Sequence, residues 1–377
     1  MTFSTKTFVN AVKLAKKASD ANGGLAGSDA LFLRQEGDEL VMVTSGYAAH
    51  LEQRLTADES SAPLSPITVS PEHLLAAVAG ISSDSLTLDA GGKGLAIGAA
   101  NYKARILALA SQTAPDEPPL KTPGAAVAKS ADLSGGLQYA AQATRVKPGG
   151  NQQGRILIES KGQSLQLVGA NRSLVLVDEV LSSGNSGGFK FYLSSRLETL
   201  LTLFLKEDPE SETALAFSAD GKRAKFTSGD GKRSLTLTAV NTPFPNFEHF
   251  LKPKTRANVL AETSELRFAT VSLRNLLGDS GYLRLEYISA AQIVRMSTVN
   301  GFGDAETTLA VNGGGEDFTV CLTHQYLLAA LHDAGKQVNL LYTGPRAPVL
   351  ITGDYKKAVI APILEEDAAL EDEEEAA

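Results

Sequence analysis

One local pattern recurs three times and constrains this chain more than any other feature. Residues 318–331 read FTVCLTHQYLLAAL, residues 67–78 read ITVSPEHLLAAV and residues 189–201 read FKFYLSSRLETLL. Each begins as a short apolar, β-branched or aromatic run that suits a strand. Each then passes through a polar pair into a segment with apolar residues on one helical face. With Leu74, Leu197 and Leu327 taken as equivalent, the steps are 123 and 130 residues. Solenoid repeats are ~20–50 residues long. A period of this length is that of a whole domain. The chain therefore reads as three copies of one domain.

The 377 residues allow each third its own core, and 43% hydrophobic with 21% charged residues is an ordinary globular balance. No apolar run approaches the ~20 residues of a membrane span, and the N-terminal segment lacks the charged-then-apolar pattern of a signal peptide. Cys321 is the sole cysteine, so no intrachain disulfide framework exists. These features predict a cytoplasmic protein without membrane partners. The sequon at Asn171-Arg-Ser then reads as coincidence. The net charge of −8 is misleading: residues 365–377 hold eight acids and no base, so the preceding residues sum to zero. A neutral body can still gather its bases on one surface.

Taken in order, the first third opens on a short strand and a helix. Phe8, Val12 and Ala15 fall on one face of that helix, and Lys13, Lys16 and Lys17 on the other. Strand-like runs follow at Leu31–Arg34 and Leu40–Thr44, then the repeated unit, then two runs at 85–90 and 94–109, the second long enough to turn. Residues 111–128, rich in Pro and Ala, read as a linker. The second third carries a helix at about 131–145, strands, a Ser/Gly loop at 182–188, the repeated unit and a meander with hairpin signals at Asp220-Gly221 and Asp230-Gly231. Residues 241–253, NTPFPNFEHFLKP, make a stiff crossover. The last third repeats the order, with a helix at about 263–277, and an acidic run from Glu365 reads as a disordered tail. The predicted fold class is α+β: three similar domains at 1–120, 126–247 and 253–364, each with two helices covering one face of antiparallel sheets, and a tail at 365–377.

No catalytic constellation emerges. The histidines at 50, 73, 249, 324 and 332 form neither HExxH nor an HxxxH pair, and one cysteine cannot build a zinc cluster. GxSxG and a strand-following GxGxxG are absent. The two DGKR segments lack phosphate-loop spacing, and NGGGED (312–317) and GGKG (91–94) read as turns. No metal or cofactor is expected. The bases are more informative. Lys13, Lys16, Lys17, Arg145, Lys147, Arg196, Lys206 and Arg274 lie on or beside predicted helices. Helices facing one surface would make them a discontinuous positive lining that holds phosphates without reading bases. Solvated helix faces with snorkelling side chains are the competing account.

Val168–Val175, Phe244-Pro245-Asn246-Phe247 with Leu251, Tyr326-Leu327-Leu328 and Ala361–Leu364 appear in this order along the triplicated chain. In that arrangement the chain resembles the bacterial DNA polymerase III beta subunit, the beta sliding clamp, as a divergent member. The similarity runs through residues 1 to about 364. It implies a DNA clamp fold and a head-to-tail homodimer, a ring of six domains whose helices line a pore around double-stranded DNA. Such a clamp is a non-catalytic processivity factor that tethers a DNA polymerase. The eight bases above would face DNA. The dimer contact, first domain to third, would involve Ile106, Leu276 and Leu277 and closes only if the rotation closes.

The resemblance also implies a pocket between the second and third domains for short linear peptides of the polymerase and the clamp loader. Carried over, it comprises Leu174, Val175, Pro245, His249, Phe250, Thr323, Tyr326, Pro362, Ile363 and Leu364, an apolar and aromatic set suited to anchor side chains. The alternative is that these residues are inter-domain core. There are departures. The family usually has a basic residue where Leu174 and His249 stand, its Asp-Gly pair is Asn171-Arg172 here, and the acidic tail extends past its usual end. The tail is expected to modulate partner access or repel DNA. The divergence fits a plasmid, phage or paralogous clamp. A second reading is a clamp-like decoy that binds partner peptides without encircling DNA. A third, an enzyme on a triplicated scaffold, has no motif behind it.

Overall fold

A computed structural model describes residues 1–23, 30–59, 63–91, 94–110, 116–117, 120, 124–145, 154–240, 244–277, 281–300 and 303–364. Lys147 and the acidic tail lie outside the described residues. Six α-helices are seen among the described residues: α1 (Thr5–Ala21), α2 (Pro71–Val78), α3 (Ser130–Arg145), α4 (Ser195–Lys206), α5 (Thr263–Arg274) and α6 (His324–Ala330). Strand, helix, three strands, strand, helix, three strands is the order, and it runs three times along the chain. The second and third passes each insert one extra strand, Ser183–Ser186 and Asn312–Gly315. In the first pass the corresponding segment makes a single bridge, Thr2 with Glu59.

Helix caps sharpen the repeat. The Ser70 and Ser194 side chains accept from the third backbone N–H of α2 and α4, those of His73 and Leu197. Thr323 holds the same place before α6. Counted from the caps, Leu74 and Leu327 correspond to Glu198, one residue beyond the Leu197 that the sequence pattern suggested. All three side chains are buried. Glu198 is accommodated because the Thr202 hydroxyl, one turn on, donates to its carboxylate at 3.0 Å; a buried acid without such a donor would be costly.

Three expectations for loops are corrected. The end of the presumed linker is the strand Gly124–Lys129, whose alternating residues are buried where it pairs with Glu212–Phe217. Part of the Ser/Gly loop is the strand Ser183–Ser186, laid irregularly on the other side of Gly124–Lys129. Asn312–Gly315 pairs with Ala257–Leu260, and its glycines admit close backbone approach: a Cβ at Gly313 would lie 2.6 Å from the Tyr287 hydroxyl. The sequence reading also passed over the strand Ala49–Thr56. The two DG hairpins stand as expected, with Gly221 and Gly231 at φ of 66° and 71°.

The chain forms two compact units. The first comprises Met1–Ser134, Glu159–Ser164 and Leu181–Asn241, the second Gly135–Ile158, Leu165–Val180 and Thr242–Ala377. In the first, a nine-stranded antiparallel sheet runs Ser183–Ser186, Gly124–Lys129, Glu212–Phe217, Arg223–Ser228, Arg233–Thr238, Ala49–Thr56, Glu39–Ser45, Leu31–Glu36, Ile67–Val69. α1 packs against this sheet, α2 and α4. It buries Phe8, Val12, Leu14 and Ala15, and the Gln53 amide donates to the Ala11 carbonyl at 3.0 Å. A second, four-stranded sheet runs Thr2–Ser4, Ser85–Gly91, Gly94–Ala99, Tyr102–Leu107.

The second unit repeats the plan. Its large sheet runs through Ser164–Ala170, Leu174–Leu181, Lys356–Ile360, Val349–Thr352, Gln337–Tyr342, Ala257–Glu262 and Asn312–Gly315. Its four-stranded sheet is Gly303–Ala310, Ile293–Asn300, Tyr282–Ile288, Phe318–Thr323. One core joins α3, α5, α6 and both sheets, with Tyr139, Leu283, Tyr287, Met296, Leu327 and Leu340 inside it. The Tyr139 hydroxyl donates to the Ala330 carbonyl at 3.2 Å, and burial pushes its pKa up.

Candidate functional site

Two seams, one in each unit, set out the candidate sites. In the first, Arg233–Thr238 pairs antiparallel with Ala49–Thr56, Leu237 opposite Ala49. In the second, Lys356–Ile360 pairs antiparallel with Leu174–Leu181, Ile360 opposite Leu174. An asparagine pins the start of each receiving strand. Asn22 Oδ1 accepts from the amides of Ala48 and Ala49 at 2.9 and 2.8 Å. Asn171 Oδ1 accepts from those of Ser173 and Leu174, both at 2.8 Å, while its Nδ2 donates to the Ala143 carbonyl. Ala49 and Leu174 therefore hold equivalent positions.

At the second seam the chain continues past Ile360 as Ala361–Leu364. The Ala361 amide donates to the Ser173 carbonyl at 2.8 Å and the Ile363 amide to the Cys321 carbonyl at 2.9 Å. The segment thus bridges residues 173–175 and 321–326. Tyr326 closes the arrangement with a side-chain hydrogen bond to Ser173; burial still leaves its pKa raised. Beside it is a cavity of about 370 Å³ lined by Arg284, Thr319, Cys321, Arg346, Ile363 and Leu364. A 3₁₀ turn, Glu248–Leu251, packs against Lys356–Ile360, with the His249 and Phe250 rings 3.7 Å apart.

The sequence-predicted pocket residues divide into two kinds. Leu174, Val175 and Tyr326 are buried, and Leu174 and Tyr326 belong to the core of the unit. Strand pairing fixes Leu174 and Val175 in register with Ile360 and Val359, and Tyr326 is bonded to Ser173. Phe250, Thr323, Pro362, Ile363 and Leu364 are half-buried, and Pro245 and His249 are exposed. Sequence reasoning missed Arg284, Arg346 and Cys321. Arg346 sits in the TGPR turn, whose Gly-Pro signal was readable; Arg284 is an exposed strand position with no local signal.

The bases fare unevenly. Lys13 and Lys17 are exposed on α1, and Lys6, overlooked in the sequence, joins them at i, i+7, i+11 spacing on one face. Lys16 is half-buried, and its ammonium is 2.5 Å from Asp20, one turn on. Arg196 is exposed on α4, its guanidinium beside Gly23 at the C-terminal end of α1, where helix carbonyls favour a cation. Lys206 ends α4 and is exposed. In the second unit Arg145 and Arg274 are exposed at the ends of α3 and α5, with Arg267 one face-repeat before Arg274.

Of the predicted dimer contacts, Ile106 is 7% exposed and stands opposite Leu95 in its own sheet, whereas neighbouring Leu107 is 71% exposed. Leu276 is exposed and Leu277 packs partly against the core. α5 adds Phe268, 75% exposed, and Val271. Their spacing, three residues apart on one helix face, was legible. Among the described residues no cluster of three His, Cys, Asp or Glu forms a metal site, and no helix is long and apolar enough to cross a membrane.

No family model and no curated protein sequence matches the chain. Solved structures do. The DNA polymerase III subunit beta of Pseudomonas aeruginosa is 17% identical, over 97% of this chain and 99% of that one, with a TM-score of 0.82. The DNA polymerase III beta subunit of Thermotoga maritima is 15% identical, over 96% and 98%, also at 0.82. A Helicobacter pylori beta clamp bound to a DNA ligase peptide is 15% identical, over 96% and 99%, at 0.80. The chain has the sliding-clamp fold along nearly its whole length.

Proposed function

We propose that this protein is a sliding clamp: two copies close head to tail around duplex DNA and hold a polymerase on it, and the clamp itself performs no chemistry. One observation carries this. The chain repeats its seam, Arg233–Thr238 on Ala49–Thr56 and Lys356–Ile360 on Leu174–Leu181. A third copy of the rule needs Tyr102–Leu107 against Gly303–Ala310. Each of these is an edge strand of its four-stranded sheet. Unpaired edges invite another chain, and a second copy supplies the missing strand at both ends. Leu107, Phe268, Val271 and Leu276 are the apolar residues for that contact, and the three domains span 1–120, 126–247 and 253–364.

Lys6, Lys13, Lys17, Arg145, Arg196, Lys206, Arg267 and Arg274, with Lys147, supply phosphate contacts that hold without reading sequence. Short peptides of the polymerase and clamp loader dock over Ile363 and Leu364. The cytoplasm is the working compartment, and the acidic tail acts on partner access beside Leu364. Light scattering tests the dimer against a 39.6 kDa monomer. Retention on circular DNA with loss on linearisation tests encirclement. A monomer that binds peptide and never DNA would replace this reading with that of a peptide-binding decoy.

A further inference from the structure

We infer that the first unit carries a second docking site, for an acidic linear peptide with an aromatic anchor. A groove of about 620 Å³ opens beside the first seam. Its walls occupy the repeat positions of the second-unit site. Ala49 and His50 stand where Leu174 and Val175 do, and Thr236 and Thr238 flank Leu237 as Val359 and Ala361 flank Ile360. The hairpin turn 218–223 takes the place of 343–348. The same scaffold presents different chemistry.

Four observations fix the class of ligand. Tyr47, at the rim, is 79% exposed, an aromatic surface with an unshielded face. Lys222 and Arg223 also line the groove. The Arg223 guanidinium has no acceptor among the described residues, and Lys222 Nζ is 3.9 Å from Asp220, a loose pairing. The acids nearby are engaged. Asp220 accepts from the Ser218 hydroxyl and the Lys222 amide at 2.7 and 3.0 Å. Glu117 is held by Lys225 at 2.6 Å and Thr236 at 2.8 Å. His50 lines the same groove, is 3% exposed, hydrogen-bonds Ser45 through Nδ1 at 2.9 Å and leaves Nε2 without a partner. Buried polar atoms are ordinarily satisfied. An aromatic ring against Tyr47 and a carboxylate on Arg223 match this lining. The site depends on the repeat geometry of one unit and not on ring closure.

The probe is a fluorescein-labelled acetyl-EELFDE peptide, titrated into the full chain and read by anisotropy. Binding with a Kd on the order of 100 μM is expected, because so short a peptide buries far less than a standard interface. Arg223→Glu and Tyr47→Ala should each weaken it tenfold or more, and Arg223→Glu should instead bind acetyl-KKLFKK. Both positions are on the surface, and circular dichroism verifies that each variant folds. The His50 imidazole signals should move on titration of the wild-type chain. No binding at 1 mM peptide on this scale, or binding indifferent to Arg223→Glu, would overturn the site. A chain that fails to dimerise but still passes these tests would separate this inference from the clamp reading.

Discussion

The two seams share backbone and differ in lining. At the second, Leu174 faces Ile360, and Pro362, Ile363 and Leu364 extend the apolar surface toward solvent. At the first, Ala49 faces Leu237, and His50, Thr236 and Arg223 make the neighbouring surface polar. Since strand order and the asparagine pin are alike, the backbone cannot be what distinguishes them. The ladder joins consecutive thirds, and the side chains at its rim decide what the join can hold.

Substitutions can break or sharpen this contrast. The largest effect is expected at the apolar seam. Ile360→Ala, at a fully buried position, should cost about 2–5 kcal/mol in a urea melt. Thr236→Ala, in the polar seam, should cost only about 1 kcal/mol through its lost bond to Glu117. Equal costs would mean that the seams are not chemically distinct. Next, Ile363→Asp places a charge in the half-buried rim of the second site and should lower affinity for an apolar partner peptide at least tenfold, about 1.4 kcal/mol, by calorimetry. Tyr326→Phe keeps the core volume and removes the Ser173 bond, for about 0.5–1.5 kcal/mol.

The smallest effect is a pH slope at the first seam. Burial lowers the His50 pKa, so the folded state binds fewer protons than the unfolded state. Its contribution is fully present above the ordinary histidine value near 6.5 and fades as pH falls below it. Denaturation midpoints between pH 8 and 5 should show that decline, and His50→Gln should flatten it. Val175, at the equivalent position, gives the second seam no such dependence.

The repeat was legible because capped strand–helix units leave strong local marks: Ser70, Ser194 and Thr323 precede runs of leucine. The helices expected at about 131–145 and 263–277 form at Ser130–Arg145 and Thr263–Arg274, and the DG hairpins carry their own turn signal. Three kinds of feature were not legible. Strands made largely of glycine and serine, such as Asn312–Gly315, carry no hydrophobic alternation and exist because a neighbouring strand needs a partner. The inward turn of Ile106 and the outward turn of Leu107 depend on register, which one residue of slip reverses. The burial of Leu174 and Tyr326 arises from contacts more than a hundred residues away in sequence, which no local pattern encodes. The Lys16–Asp20 pair, by contrast, is announced by its i, i+4 spacing alone.

The edge strands Tyr102–Leu107 and Gly303–Ala310 are different surfaces, so the proposed pairing between copies would be heterologous. Nothing in that rule stops at two copies: each newcomer offers a fresh edge unless accumulated curvature brings the last one round to the first. In the proposed ring, closure would therefore be an angular property of the joins. A substitution that bends one join by a few degrees would leave every local bond intact and yet turn a finite particle into an open thread, visible by negative-stain microscopy.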